Sequence, residues 1–152
     1  MDSKIAGVRI TELSKFEDDR GWLGELFRSD CLLEEDYPQM GYISMTLPGV
    51  TRGPHEHLCQ IDMFAFIGPG DFELYLWDKS LLDPHREKYI CGESNPVVVM
   101  VPPGIIHAYK NVSDKPGFVF NFPNKLYAGP GKSYPVDEIR HEEKSSSLYK
   151  ID

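Results

Sequence analysis

Apolar and polar residues alternate in short bursts along this chain, with a period of two far more often than the longer period of a helix. Residues 8–13 set Val, Ile and Leu between Arg, Thr and Glu, and residues 72–77 set Phe72, Leu74 and Leu76 against Glu73, Tyr75 and Trp77. Such alternation marks a strand with one face buried. Further strands are expected at 22–28, 42–47, 61–67, 86–91, 97–101, 106–111 and 117–122, separated by Gly, Pro, Asn and Asp. The turn signals are strongest at 18–21, at Pro48-Gly49 and at 68–71. One short helix is expected over 30–37, capped by Ser29 or Asp30 and stopped by Pro38. About nine short strands with regular punctuation predict an all-β sandwich or barrel. Beyond Tyr127 the pattern dissolves, and the remainder is expected to be an irregular tail lying along the barrel.

With 152 residues, residues 1–152 are expected to form a single domain, large enough to enclose a core and a pocket. The chain is 41% hydrophobic and 26% charged, as in a globular protein, and lacks a run of about 18 apolar residues that could cross a bilayer. Its opening residues lack a signal-peptide pattern, so a cytoplasmic protein is expected. Cys31, Cys59 and Cys91 are widely spaced without a C-x-x-C, which points to free thiols rather than a disulfide framework. A net charge of −8 argues against nonspecific nucleic-acid binding but leaves room for one small anion held by arginines.

The chemistry is concentrated in residues 49–62. Arg52 stands directly before Gly53, His55 and His57 have H-x-H spacing, and Gln60 and Asp62 interrupt an apolar run. On a strand, residues two apart share a face, so both imidazoles would enter one space. Asp62, if buried, needs a partner, since an unpaired carboxylate in an apolar setting costs several kcal/mol or neutralises itself. A second stretch, Pro102-Pro103-Gly104, delivers His107 onto a new strand. Tyr75 and Trp77 read as core or interface, His85 and His141 as surface residues, and Asp137, Glu138, Glu142 and Glu143 as a solvated acidic face.

Gly49, His55, His57 and Asp62 together resemble the first cupin motif, with aspartate at the usual glutamate position. Pro102, Gly104, His107 and Asn111 resemble the second. This resemblance implies a cupin-type double-stranded β-helix, a jelly-roll barrel. More particularly, residues 19–28, Val50-Thr51-Arg52-Gly53-Pro54-His55, residues 103–107 and Leu126-Tyr127 resemble the dTDP-4-dehydrorhamnose 3,5-epimerase family.

That resemblance implies an isomerase acting on a nucleotide-linked 4-keto-6-deoxysugar in cell-surface polysaccharide synthesis, working as a homodimer without a cofactor. It makes His55 the base that takes a proton beside the ketone, and Asp62 and Asn121 the residues at the positions of the family's catalytic lysine and tyrosine. It makes Arg20, Glu25, Arg52, Gln60, His107 and Tyr127 substrate-binding residues. Asp137 and Glu142 are the candidates for the carboxylate that orients His55. Two other readings stand beside it. In one, His55, His57, Asp62 and His107 hold Zn, Fe, Mn or Ni in a metal-dependent cupin enzyme. In the other, the chain is a catalytically silent sugar-nucleotide binding module.

Overall fold

The computed structural model describes residues 2–80 and 85–152. Among the described residues, twelve strands form two five-stranded antiparallel sheets and a hairpin. In the first sheet the order is β1 (Arg9–Glu12), β9 (Val97–Val101), β6 (Asp62–Phe66), β11 (Gly117–Asn121) and β4 (Tyr42–Thr46). In the second it is β12 (Ile139–Arg140), β5 (Thr51–Glu56), β10 (Ile106–Asn111), β7 (Asp71–Asp78) and β8 (His85–Gly92). The hairpin joins β2 (Phe16–Asp18) to β3 (Gly21–Leu23). This is the expected all-β jelly roll, and among the described residues no helix is long and apolar enough to cross a membrane.

The two sheets share one core. Phe64, Phe66, Val97 and Val99 from the first meet Phe72, Leu74, Leu76 and Tyr109 from the second. Full burial of side chains this size stabilises by roughly 1.5–3 kcal/mol each. The alternation in β7 is reproduced: Phe72, Leu74 and Leu76 face inward, while Tyr75 and Trp77 face outward and are covered by Tyr149 and Ile151 of the C-terminal tail. Strands β6 and β9 are buried at every position because both of their faces are covered. Met63, Ala65, Val98 and Met100 point away from the core onto a second layer that includes Leu13, Leu26 and Leu32.

The helix expected over 30–37 is absent. Two 3-10 turns, Ser29–Cys31 and Glu34–Asp36, take its place. A helix of two turns gains few internal bonds against a costly nucleus. Here the segment is fixed instead by buried Asp36, which pairs with Arg9 of β1. Extended structure at 22–28 is likewise shorter than expected, since β3 ends at Leu23.

The connection most relevant to the site is between β5 and β10. His107 lies opposite His55 and Tyr109 opposite Arg52, so Gly53 and Pro54 together face the single residue Ala108. This bulge turns the strand and re-aims the side chains on either side of it. Gly53 has φ +85°, and a Cβ there would stand 2.6 Å from the carbonyl oxygen of His107. Only glycine lets the two histidine strands approach this closely. Pro54, which has no N–H to donate, accepts the backbone N–H groups of His141 and Glu142 at its carbonyl.

Candidate active site

β5 carries His55 into the interior and ends at Glu56, leaving His57 at the start of the loop that crosses to β6. His107 arrives from β10 directly behind. The ring centroids of His55 and His107 are 4.5 Å apart, and that of His57 lies 5.8 Å from His55 and 6.0 Å from His107. Asp62, at the start of β6, closes the group from the opposite sheet, with Oδ2 3.2 Å from Nε2 of His57 and 3.3 Å from Nε2 of His107. Its Oδ1 accepts from the amides of Gln60 and Asn121, each at 2.8 Å. The sequence thus places four polar residues where a barrel needs apolar ones, gathered around one buried carboxylate.

Charge follows from this geometry. Burial alone would raise Asp62, but His107 and His57 outweigh it and hold the carboxyl well below the usual carboxylate range. Burial alone would lower His57, yet Asp62 outweighs it and lifts the imidazole to about 9, with the carbonyl of Asp137 accepting its Nδ1–H. His55 has no anion at hydrogen-bond distance. Burial, reinforced by the other two imidazoles, pushes it down to about 2, so it is neutral at physiological pH. His107 donates Nδ1–H to the carbonyl of Ile105 at 3.1 Å. Its Nε2 is close enough to Asp62 for an ion pair, but it is not aligned as a hydrogen bond and is a buried nitrogen without a hydrogen-bond partner.

Above these residues opens a cavity of about 1140 Å³. That is ample for a nucleotide sugar, since ligand pockets commonly run to roughly 300–1,000 Å³. His55, His57, Gln60 and Tyr42 line its floor, while His107 and Asp62 lie just beneath. Arg52 lines the cavity with its guanidinium anchored on Thr46 Oγ1 and the carbonyl of Met45, both at 2.9 Å. Lys125, Tyr127, Lys132 and Tyr134 line it from the segment after β11.

The tail contributes more than a solvated face would. β12 pairs with β5, setting Arg140 opposite His55. Glu138 and Glu142 approach Nδ1 of His55 to 4.0 and 3.9 Å. Asp137 does not orient His55. Its carboxylate accepts the backbone N–H groups of Leu58, Cys59 and Gln60 and so shapes the loop between His57 and Asp62. The acidic segment, expected to be solvated, therefore sends Asp137 and Glu138 partly inside. His141, expected at the surface, is buried, its Nε2 2.9 Å from Oε1 of Glu56, with Lys79 on the other Glu56 oxygen and Tyr149 against its ring. His85 is half-buried beside Glu87.

Other expected residues are placed differently. Arg20 and Glu25 are exposed outside this cavity, paired with Asp18 and Arg28. Asn121 is buried below the floor. Both of its amide hydrogens are engaged, on Asp62 Oδ1 and on the hydroxyl oxygen of Tyr42, and its carbonyl accepts Met63 N–H. It is a connector with no hydrogen left to offer a ligand. Asp62 Oδ1 is taken up by Gln60 and Asn121, and its Oδ2 faces His57 and His107.

A metal would find a fitting donor set. His55, His57 and His107 each offer a nitrogen, all within 4.8 Å of one another. The Nδ1–H groups of His57 and His107 rest on backbone carbonyls, which turns both Nε2 atoms toward Asp62 in the way outer partners orient metal ligands.

Fold and site together define a cupin-type jelly roll with a histidine-floored cavity. Residues 16–131 match the model of the polysaccharide biosynthesis C-terminal domain, and the chain belongs to that family. It is 36% identical over 127 residues to a probable low-salt glycan biosynthesis epimerase, Agl13, of Haloferax volcanii, covering 81% of each chain. It is 34% identical over 125 residues to the spore coat polysaccharide biosynthesis protein SpsL of Bacillus subtilis, covering 81% of this chain and 82% of the relative. Among solved structures, dTDP-4-dehydrorhamnose 3,5-epimerase from Sulfolobus tokodaii superposes with a TM-score of 0.72 at 20% identity, covering 91% of this chain and 79% of the other.

Proposed function

We propose that this protein is a cytoplasmic, homodimeric isomerase of cell-surface polysaccharide synthesis. In this reading it epimerises a 4-keto-6-deoxysugar carried on a nucleoside diphosphate. One observation carries the reading: His55 is a neutral imidazole at the floor of a nucleotide-sugar-sized cavity, with Glu138 and Glu142 about Nδ1. A base must be unprotonated before it acts, as His55 is, and must also hold the proton it takes, which Glu138 and Glu142 beside Nδ1 favour against its burial. The carboxylates supply the countercharge that its imidazolium acquires once a proton arrives from the carbon beside the ketone. Arg52 provides a guanidinium for the diphosphate, and Lys125 and Lys132 are further cations in the wall. The epimerase description of the Haloferax relative and the polysaccharide roles of both relatives support the same reading. Proton transfer between carbon and imidazole needs no cofactor.

The exposed apolar side chains of Phe16, Trp22 and Leu23 on the hairpin, with Ile43 and Met45 on edge strand β4, support pairing with a second copy. In such a dimer Arg20 and Glu25, idle in their own chain, would reach the neighbour's cavity.

A second reading is favoured by the unpartnered Nε2 of His107. His55, His57, His107 and Asp62 would hold a divalent metal, which would polarise a carbonyl oxygen.

The decisive experiment is incubation with a dTDP-4-keto-6-deoxysugar in deuterated water. Deuterium is expected at the carbon 3 or carbon 5 position, and His55→Ala should abolish its incorporation. Tight dTDP binding by a wild type that exchanges nothing would instead identify a silent binding module.

A further inference from the structure

Removing a proton beside a ketone pushes negative charge onto the carbonyl oxygen, and a donor placed at that oxygen is commonly the largest single contribution to such catalysis. The floor of the cavity is short of donors. Asp62 is an anion, both amide hydrogens of Asn121 are used, and Arg52 is anchored through Nε and one terminal nitrogen on Thr46 and Met45.

Tyr42 remains. It lies on β4 opposite Asn121 of β11 and lines the cavity. The orientation of the Asn121 amide is fixed, because its carbonyl must receive Met63 N–H at 3.0 Å while its nitrogen faces the Asp62 carboxylate. The second amide hydrogen therefore goes to the Tyr42 oxygen at 2.8 Å, and the phenol is the acceptor in that bond. Its own hydrogen has no acceptor among the described residues. Tyr42 is 46% exposed, and its hydroxyl is tied through Asn121 to the buried Asp62 carboxylate. Burial, with Asp62 nearby, pushes Tyr42 up despite the Asn121 bond, so the hydroxyl keeps its hydrogen at physiological pH.

We propose that Tyr42 is a catalytic residue whose O–H donates to the carbonyl oxygen of the bound keto sugar while His55 removes the neighbouring proton. This rests on the isomerase reading above. The C–H bond breaks and its proton passes to the His55 imidazole. The C–H electron pair becomes the carbon–carbon double bond of the enolate, and the carbonyl π pair moves to oxygen, where the Tyr42 hydrogen bond receives it. Return of a proton from imidazolium to the same face restores the substrate and gives deuterium exchange, whereas protonation of the enolate on its opposite face inverts the carbon; in both cases nothing is oxidised or reduced. The amide hydrogen that Asn121 places on the phenol oxygen makes Tyr42 a stronger donor, because bonds in a chain polarise one another. Asn121 is thus a positioning residue.

Tyr42→Phe keeps the ring and removes only the hydroxyl. With a dTDP-4-keto-6-deoxysugar in deuterated water, its exchange rate is expected to fall by about 10²–10³-fold, the loss typical of one such donor, while dTDP affinity stays within about twofold. Installing 3-fluorotyrosine at position 42 acidifies the phenol and should move the alkaline limb of the pH–rate profile to lower pH. Exchange in Tyr42→Phe at the wild-type rate, or an alkaline limb unmoved by fluorination, overturns this inference alone. A wild type that exchanges nothing overturns the isomerase reading and this inference with it.

Discussion

His55 and His107 face each other across neighbouring strands with ring planes at 81°, edge to face, and centroids 4.5 Å apart. Two imidazoles held this close in a buried site cannot both be charged without strong repulsion. His57, paired with Asp62, takes the proton, and His55 is left neutral.

This division has a signature in stability. His57 is raised from 6.5 to about 9, so its contribution is fully present below pH 6.5 and is lost as pH rises through 9. His55 has the opposite sign: its lowered value destabilises the fold as pH drops from 6.5 toward 2. Urea unfolding at pH 6 and pH 10 is expected to show a loss of at most about 3 kcal/mol attributable to His57. In His57→Gln the dependence over that interval should be correspondingly flatter. Parallel curves for the two proteins would refute the assignment.

Gly53→Ala should damage the molecule out of proportion to one methyl group. The strained backbone alone costs on the order of 1–3 kcal/mol, and the new Cβ must also push back the His107 carbonyl. A lowered denaturant midpoint together with reduced exchange is expected; an unchanged midpoint would mean that β5 and β10 separate freely.

Arg52→Ala should weaken dTDP about tenfold or more, since a charge-assisted hydrogen bond contributes roughly 1.5–3 kcal/mol. Titration calorimetry reads this directly. Equal affinities would remove Arg52 from the diphosphate site.

The cofactor-free reading predicts less than one equivalent of metal in purified protein and activity that survives chelation. Stoichiometric zinc, iron, manganese or nickel whose removal abolishes exchange would favour the metal reading, with His107 Nε2 as its ligand atom.

Sedimentation at micromolar concentration should give a dimer of the 17.3 kDa chain, dissociated by Trp22→Glu on the exposed hairpin. A monomeric wild type would leave Arg20 and Glu25 without a cavity to serve.

This fold is legible in the sequence where local pattern and tertiary environment agree. β7 has one apolar face on the core and an outward face the tail covers, so its period of two is visible in Phe72, Leu74 and Leu76. The histidines are legible because their spacing and the Pro-Pro-Gly turn are local. Other parts depend on pairings distant in sequence. β12 is two residues long and carries no period, so neither Glu138 beside His55 nor His141 beneath Glu56 can be inferred from the tail. Tyr42 escapes notice because nothing about an aromatic at the start of a strand reveals that Asn121, 79 residues later, uses its amide to leave that hydroxyl free. Asn121 itself lies at the site, as expected, but its two engaged amide hydrogens do not permit a direct part in the chemistry.

The place of β12 separates what the barrel needs to pair from what its site needs to work. β5, β10 and β7 hold one another through registers that do not involve residues 137–142. Without that segment the three imidazoles would still be brought together, but Glu138 and Glu142 would be missing from His55, Asp137 would not shape the loop after His57, and Glu56 would lack His141 on the far face. One short, patternless segment thus completes the inner floor and the outer cover together, so a product truncated before residue 137 should be compact yet inert.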